Sequence, residues 1–200
     1  MPRIVDHAER RSTIAAAAAG LIADDGIEAV TMKGIAQRAG VTTGAVTHYF
    51  ADKDAVILAA LLFVEAEMRR RLQAAVERGD PLLDVLCASL PIDADTRRDW
   101  QVWRVFTDAA SRSDLLLQHY RSADTAWMQA ATQLLGEHLD PAFAERDVEL
   151  IAAAVDGIGD TASADPDSWP PERQRALLQH CLARLVPSAS GRRAPGRTRP

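Results

Sequence analysis

The segment VTTGAVTHYFADKDAV, at residues 41–56, carries hydroxyl, imidazole and ammonium groups in a pattern that a buried helix face does not require. If its centre is helical, Thr43, Thr47 and His48 face outward together. Hydroxyl and imidazole groups on a short exposed helix can hydrogen-bond phosphate oxygens and base edges in the DNA major groove. The pattern therefore predicts a nucleic-acid contact, whereas each residue taken alone is more typical of a solvated helix surface.

Two further residues of this segment fit the same chemistry. Gly44 lets the helix start approach a bulky partner, and free amides at a helix start attract an anionic phosphate. Lys53 stands at the start of the next predicted helix, where a cation is unfavourable for the helix dipole. A DNA phosphate would account for a lysine at that position.

Two short helices are predicted to position these groups. Thr31 is suited to cap a first helix over MKGIAQRA, residues 32–39, and the turn AGVT separates it from a second helix that ends near Tyr49. Val46 and Phe50 would anchor the second helix, with Tyr49 either on the flank or in the core with its hydroxyl at the surface. This organisation is that of a helix-turn-helix.

The local propensities favour helix almost throughout the chain. Aromatic residues make up 5 % of the chain, and β-branched runs are scarce. We therefore expect an all-α fold of about nine helices, with a three-helix helix-turn-helix domain followed by a helical C-terminal domain. The segment IEAV after the first helix is expected to be extended. The predicted helices cover residues 7–25, 32–39, 43–49, 52–77, 81–90, 94–111, 113–138, 145–163 and 171–186.

The charge distribution follows the expected domains, which are a DNA-binding domain at 1–51, a helical body at 52–186 and a disordered Arg-rich tail at 187–200. Residues 1–54 carry six basic and seven acidic residues, residues 55–186 carry thirteen and twenty-one, and the tail carries four arginines and no acid. The net charge of −5 therefore belongs to the body and leaves room for a DNA contact at the N-terminus.

Composition and motifs also exclude several classes of protein. No run of 18 or more uncharged apolar residues occurs, so we expect a cytoplasmic protein with no membrane partner. Cys87 and Cys181 lie far apart in apolar patterns and are interpreted as buried hydrophobic residues. Glycine-rich phosphate loops, paired metal ligands and nucleophile elbows are absent, so no enzyme, cofactor or metal is expected. A helical adaptor that binds a basic protein partner is the alternative to a DNA-binding protein.

The stretch TMKGIAQRAGVTTGAVTHYFADKDAVILAAL resembles the DNA-binding signature of the TetR (tetracycline-repressor) family of bacterial transcription regulators, over about residues 10–62. The resemblance implies a regulator, more commonly a repressor, that binds a palindromic double-stranded DNA operator as a homodimer and is released by a small-molecule effector. The two recognition helices of such a dimer lie about one DNA turn apart, roughly 34–36 Å, or at a longer in-register spacing. The predicted helix at 52–77 would be the lever between the two domains.

Carried over position by position, the resemblance implies base and phosphate contacts from the second short helix, phosphate contacts from the start of the first, and a backbone clamp after them. These positions are Thr43, Gly44, Thr47, His48 and Tyr49, then Thr31 and Lys33, then Lys53. Many members carry a basic or amide residue where this chain has Thr43 and Ala45, so operator specificity is expected to rely on DNA shape. Arg3, Arg10 and Arg11 could extend the basic surface as an N-terminal arm.

Large side chains concentrate in the predicted helices 94–111 and 113–138. They are Trp100, Trp103, Phe106, Tyr120, Trp127 and Met128. Each alone is more typical of core packing, but the set predicts an apolar ligand pocket between helices, as the resemblance also implies. A nearby acid, Asp108 or Asp124, would make the tryptophans a cage for a cationic ligand. Asp156, in an otherwise apolar face, either lines this ligand-binding cavity or caps a neighbouring helix.

The last two predicted helices are apolar enough to form an intermolecular four-helix bundle. Their segment DVELIAAAVDGIGDTASADPDSWPPERQRALLQHCLARLV is similar to the end of the betaine-regulator-like branch of the family. The predicted dimerisation residues are Ile151, Val155, Ile158, Leu178, Cys181, Leu182 and Leu185. The alternative is burial of these side chains within one subunit. Gly157 and Gly159 are expected to allow a close helix approach or a kink.

Overall fold

The computed structural model describes residues 7–135 and 144–185, and in these ranges the chain is helical without a strand. The all-α prediction is confirmed. The helices of the described residues are α1 (His7–Asp25), α2 (Met32–Ala39), α3 (Thr43–Tyr49), α4 (Lys53–Glu77), α5 (Leu82–Cys87), α6 (Ala94–Ala110), α7 (Asp114–Leu135), α8 (Ala144–Ala164) and α9 (Pro171–Leu185). None of them combines the length and apolar character needed to span a bilayer. The predicted tail, the predicted helix end at 136–138 and Arg3 lie outside the described residues.

Side-chain caps explain why several helices begin where they do. The amide of Ala55 donates to the Asp52 carboxylate over 2.8 Å at the start of α4. At the start of α6, the amide of Thr96 donates to Asp93 over 2.8 Å, and the amide of Asp93 donates back to the Thr96 hydroxyl over 3.1 Å. This reciprocal pair satisfies two amides that would otherwise lack acceptors.

The segment expected to be extended is instead a 3₁₀ turn, Ile27–Ala29, so that prediction was wrong. The amide of Ala29 donates to the carbonyl of Gly26 over 3.3 Å, and the amide of Val30 donates to Ile27 over 3.1 Å. So short a connection between two helices has no neighbouring strand to pair with, and its backbone groups therefore bond locally.

A first core cluster joins α1, α2 and α3 to the N-terminal half of α4. Its members are Ile14, Ala15, Ala18, Ala19, Leu21, Ile22, Val30, Ile35, Ala36, Val46, Phe50, Val56, Ala59, Ala60, Val64 and Val102. Full burial of each large apolar side chain contributes roughly 1.5–3 kcal/mol before the entropy cost of ordering it. Because Val102 belongs to α6, this core crosses the domain boundary predicted at residue 51.

The helical body has two further clusters. The second joins α5, α7, α8 and α9, and the third joins α4, α6 and the start of α7 around Phe106. Trp100 connects α6 to α8, because its indole lies where a Cβ on Gly159 would overlap it, and its Nε1 donates to the Ser89 carbonyl over 2.8 Å. The close approach expected at the two glycines of α8 is therefore found at Gly159, whereas a Cβ on Gly157 would meet nothing within 4 Å.

The two cysteines have different environments. Cys87 is buried and Cys181 is half-buried, and both are free thiols. Burial raises the pKa of each thiol above its ordinary value. The interpretation as a buried hydrophobic residue fits Cys87 fully and Cys181 only in part.

Candidate DNA-binding surface and ligand cavity

The two short helices α2 and α3 are fixed by threonine caps and a glycine turn. The Thr31 hydroxyl accepts from the amide of Gly34 over 3.0 Å, and the Thr42 hydroxyl accepts from the amide of Ala45 over 3.1 Å. Gly40, between the helices, has a left-handed φ of 65°, which glycine adopts without strain. Because these signals are local, the turn that presents α3 could be recognised in the sequence.

The α3 helix divides into a buried side and an exposed polar side. Val46 and Phe50 are 0 % and 2 % exposed, whereas Thr43, Thr47 and His48 are exposed to solvent. The Thr47 hydroxyl donates back to the carbonyls of Thr43 and Gly44 over 3.3 and 3.2 Å. Its oxygen can still accept a hydrogen bond from a partner, since a hydroxyl has two lone pairs.

Gly34 and Gly44 differ in whether the surrounding packing requires a glycine. A Cβ on Gly34 would lie 2.9 Å from the Ala29 carbonyl oxygen, so the packing of α2 on the preceding turn excludes any side chain. A Cβ on Gly44 would meet only the Thr42 hydroxyl, 3.9 Å away. Internal packing therefore does not require glycine at position 44. The close approach of a binding partner would explain a glycine there.

The N-terminal half of α1 supports the end of α3. Arg11 donates from Nη1 to the Tyr49 carbonyl over 2.9 Å, and its guanidinium lies 4.6 Å from the centre of the Phe50 ring. The His7 ring lies 4.5 Å from the half-buried ring of Tyr49 and 5.9 Å from that of His48. Arg11 is therefore engaged in holding α3, and the role of His7 carried no signal in the sequence.

The predicted phosphate-binding cations occupy different environments. Lys33 is exposed on α2 and forms no ion pair within the described residues. Lys53 is exposed at the start of α4, where its Nζ donates to the Ile27 carbonyl over 3.2 Å. A backbone carbonyl therefore holds the Lys53 ammonium group in place, and a DNA phosphate would have to compete with that carbonyl.

A cavity of about 400 Å³ lies between α4, α6, α7 and α8. This size falls in the range of about 300–1,000 Å³ typical of small-molecule sites. Its walls are made by Leu61, Leu62, Val64, Glu65, Met68, Arg69, Arg71 and Leu72 of α4, Ser89, then Thr96, Asp99, Trp100 and Trp103 of α6, His119, Tyr120, Ser122, Ala123, Asp124, Ala126, Trp127 and Ala130 of α7, and Val155 and Asp156 of α8.

The predicted ligand-binding residues divide into two groups. Trp100, Trp103, Trp127 and Asp156 line the cavity. Phe106 and Met128 do not, which corrects their assignment to the ligand pocket. Phe106 is fully buried in the third core cluster, and Met128 packs against the second cluster on the side of α7 that also carries Ala131 and Leu135. The sequence shows which residues are large, but helical spacing does not show which of them face the cavity.

The two acids considered for a cationic ligand also differ. Asp124 lines the cavity, whereas Asp108 is exposed on α6 and forms an ion pair with Arg112. Asp108 borders a separate groove of about 620 Å³ between the 3₁₀ turn, the start of α4 and α6. Its assignment to the tryptophan pocket was therefore wrong, because it lies on a different face of α6.

Two acids that line the cavity have raised pKa values. Arg71 forms an ion pair with Asp99, whose pKa is raised by burial with a partial offset from that arginine. Burial, and then the Asp124 carboxylate, raises the pKa of Asp156. Asp156 is accessible to solvent, but protein surrounds it closely enough to disfavour its charged form.

Five of the seven predicted dimerisation residues lie inside the subunit, which corrects their assignment to an intermolecular surface. Ile151, Val155, Ile158, Leu178 and Leu182 are buried in the second core cluster, because they fill the space between α8, α9, α5 and α7. The alternative of burial within one subunit therefore applies to these five. Cys181 and Leu185 are half-buried and pack against the same cluster, so part of each side chain is still exposed.

A different face of α8 and α9 is apolar and exposed. Leu150 is 55 % exposed and Leu177 is 43 % exposed. Between the two helices lies a shallow depression of about 310 Å³ lined by Ala154, Gly157, Ile158, Trp169, Leu177, His180 and Cys181. The depression lies directly beside the buried stripe, so the helices carry apolar residues on two adjacent faces.

Comparison with protein families matches both parts of the chain. Residues 14–60 match the N-terminal model described as bacterial regulatory proteins of the tetR family. Residues 78–187 match the model of the C-terminal domain of BetI-type transcriptional repressors. Residues 61–77 separate the two matches. The first match includes α3, and the second includes the cavity-lining residues of α6, α7 and α8 and the exposed face of α8 and α9.

Individual relatives agree with these matches over most of their length. The HTH-type transcriptional regulator PksA of Bacillus subtilis (strain 168) is 29 % identical over 188 residues, which cover 90 % of this chain and 92 % of that protein. A transcriptional regulator from Rhodococcus sp. Rha1 has a crystal structure with a TM-score of 0.78 and 29 % identity, covering 88 % of this chain and 95 % of that chain. A regulator from Saccharomonospora viridis, solved in complex with choline, has a TM-score of 0.77 and 20 % identity, covering 91 % and 100 % of the two chains.

Proposed function

Because the chain belongs to the TetR family of bacterial regulatory proteins, we propose that it binds a palindromic operator as a homodimer through α3 and is released by a small-molecule effector. The family consists of transcription regulators rather than enzymes. Repression is the mode proposed here, since the C-terminal match is to a transcriptional repressor.

The exposed polar side of α3 is the observation that carries this proposal. Thr43, Thr47 and His48 face solvent from a helix whose opposite side is fully buried, and Gly44 has no packing partner that requires glycine. A short rigid helix with these groups can enter the major groove, where Thr31, Lys33, Tyr49 and Lys53 would add contacts to the DNA backbone.

The cavity supports the effector part of the proposal. It is of small-molecule size and lies between α4 and three helices of the body. In the structural relative from Saccharomonospora viridis, a regulator of this fold is in complex with the small molecule choline. The proposed ligand-binding residues of this chain are Trp100, Trp103, Trp127 and Asp156, together with Asp124, one of the two acids that the sequence offered for a cationic ligand.

The exposed face of α8 and α9 supports the dimer. Leu177 and Cys181 line an apolar depression there, and Leu150 is exposed on α8. Burial of these side chains against a second copy would remove them from water. The proposed interface is therefore next to the stripe predicted from the sequence. Leu177→Arg should shift the chain from dimer to monomer in light scattering, while Leu115→Arg, at an exposed leucine of α7, should not.

A chain of contacts connects the cavity to the DNA-binding helices. Helix α6 carries Trp100 and Trp103 in the cavity wall and Arg98 on another side, where Arg98 Nη2 lies 2.9 Å from the Asp24 carboxylate of α1. The same carboxylate forms an ion pair with Arg38 of α2. A ligand that binds more tightly to one position of α6 than to another would shift this contact. Helix α1 therefore connects the cavity to the DNA-binding helices, in addition to α4, the predicted lever.

Titration with operator DNA tests the proposal. Fluorescence anisotropy would compare the intergenic DNA beside the protein's own gene with scrambled DNA of equal length, at two salt concentrations. We expect tight binding to the intergenic DNA only, with an affinity that falls as salt rises because counterions are released from the phosphates.

A paired variant identifies the surface responsible. Thr47→Ala combined with His48→Ala should remove the selectivity for the intergenic DNA, while helicity and dimerisation remain as in the wild type. Retention of selective binding by this variant would contradict the role of α3. Equal, weak binding of the wild type to the intergenic DNA, the scrambled DNA and sites selected from random DNA would favour the helical adaptor instead.

A further inference from the structure

Aromatic rings make up one side of the cavity. Trp100 and Trp103 of α6 and Tyr120 and Trp127 of α7 all line it, and the rings of Trp103 and Tyr120 lie 6.0 Å apart with a 28° angle between their planes. Indole and phenol faces attract an organic cation because the ring quadrupole is negative above the plane. An aromatic wall alone would also suit a neutral ligand, so the charges around the cavity decide between them.

The acids of the cavity outnumber the bases that pair with them. Asp99 is paired with Arg71, and Glu65 lies 3.4 Å from His119. Asp124 and Asp156 line the same cavity, and no basic side chain of the described residues forms an ion pair with either. They face a space bordered by aromatic rings, and a positively charged group there would compensate both.

We propose that the effector of this protein is an organic cation with an apolar body, and that Asp124 and Asp156 are its counter-charges. The proposal rests on the ligand-responsive function proposed above and specifies the chemical class of that ligand. The cation stacks on the tryptophan and tyrosine rings.

The state of Asp156 agrees with this assignment. Burial and the Asp124 carboxylate raise the pKa of Asp156, which disfavours its charged form. A cation between the carboxylates would favour the charged form, whereas an anion would add repulsion and a neutral ligand would leave the pKa of Asp156 raised. The other charged groups bordering the cavity are Glu65, Arg69 and Arg71 of α4 and Asp99 of α6, together with His119 of α7.

Three probes that share one benzamide body and one three-methylene linker, and differ in the charge of the terminal group, test the proposal on the full chain. N-(3-aminopropyl)benzamide is cationic, N-(3-hydroxypropyl)benzamide is neutral and 4-benzamidobutanoate is anionic, and all three carry the same ring and amide carbonyl. Isothermal titration should give the amine at least about tenfold tighter binding than the alcohol, with the carboxylate weakest. Equal binding of amine and alcohol, tightest binding of the carboxylate, or no binding of the amine would overturn it.

Variants assign the preference to the two acids. Asp124→Asn and Asp156→Asn should each reduce the ratio of amine to alcohol affinity several-fold. Asp160→Asn is the matched control, since Asp160 is exposed one turn further along α8 and pairs with Arg104 outside the cavity. An unchanged ratio in both cavity variants would contradict the assignment. Anisotropy with operator DNA on the same samples reports the regulator function separately, because that function survives if only the ligand class is wrong.

Discussion

The polar groups of α3 and those of the cavity have different relations to water. Thr43, Thr47 and His48 are exposed, so they are solvated in the free protein and contribute little to its stability. Asp99 is half-buried, and Asp156, although accessible to solvent, has protein close around it, so that burial raises the pKa of both. A substitution on α3 should therefore change affinity without changing stability, whereas a substitution in the cavity should change both.

The two regions also use glycine differently, and this gives the largest expected contrast. Gly159→Ala places a methyl group where the Trp100 indole lies, so the ring or α8 must move. Overpacking of this kind costs roughly 1–3 kcal/mol. We expect a lower midpoint of urea denaturation and weaker binding of the amine probe.

Gly157→Ala is the control for that substitution, because its added methyl would meet nothing within 4 Å. It should keep or slightly raise the stability, since alanine is favoured over glycine in a helix by up to about 1 kcal/mol. A similar loss of stability in both variants would show that the indole contact is not the cause.

Gly44→Ala should give the opposite result on the DNA-binding surface. The free protein has room for the methyl group, so the denaturation midpoint should stay unchanged or rise. Affinity for the operator should fall about tenfold, about 1.4 kcal/mol, if the DNA backbone approaches this position closely. Anisotropy measures the affinity, and full affinity in the variant would remove Gly44 from the proposed contact.

Asp24→Asn tests the connection between the two regions. Asp24 contacts Arg98 of α6 and Arg38 of α2, and both pairs are partly exposed, so the stability should fall by only about 0.2–1 kcal/mol. The amine probe should release the variant from the operator less completely than the wild type. Asp25→Asn is the control, since Asp25 lies 3.6 Å from Arg38 and forms no ion pair with α6 within the described residues. Equal release from both variants would place the coupling elsewhere, with α4 as the remaining candidate.

Asp156→Asn should have the smallest effect, on the pH dependence of stability. The pKa of Asp156 is raised in the folded state, so its carboxylate stabilises the fold less as pH rises through that pKa. At pH 7.5 the variant should melt at a higher temperature than the wild type. Below the unfolded pKa of about 3.9 the acid is protonated in both states and the difference should vanish. A difference that does not depend on pH would mean that the charge is not its origin.

The sequence was most informative where the signal is local. The Thr31 cap and the turn AGVT predicted where α2 begins and ends, and the spacing of Val46 and Phe50 predicted which side of α3 is exposed. These features depend on residues within one or two turns of each other. The 3₁₀ turn at Ile27–Ala29 escaped prediction, because three residues are too few to show a periodicity.

The choice between neighbouring helix faces could not be predicted from spacing. In α8, Ile151, Val155 and Ile158 form one apolar stripe, while Leu150, Ala154 and Gly157 form another beside it. Only the positions of α5, α7 and α9 determine which stripe is buried in the subunit. Phe106 and Met128 were assigned to the pocket for the same reason, since the sequence does not show what lies opposite them.

The exposure of the α3 face has a consequence for the divergence of such regulators. The residues that read the operator can be exchanged one at a time without passing through an unstable intermediate, since their side chains have little part in the core. A change of effector, by contrast, alters a wall in which Trp100 and Gly159 fit together and has to be accompanied by a compensating change. Descendants of this chain should therefore acquire new target sites more readily than new ligands.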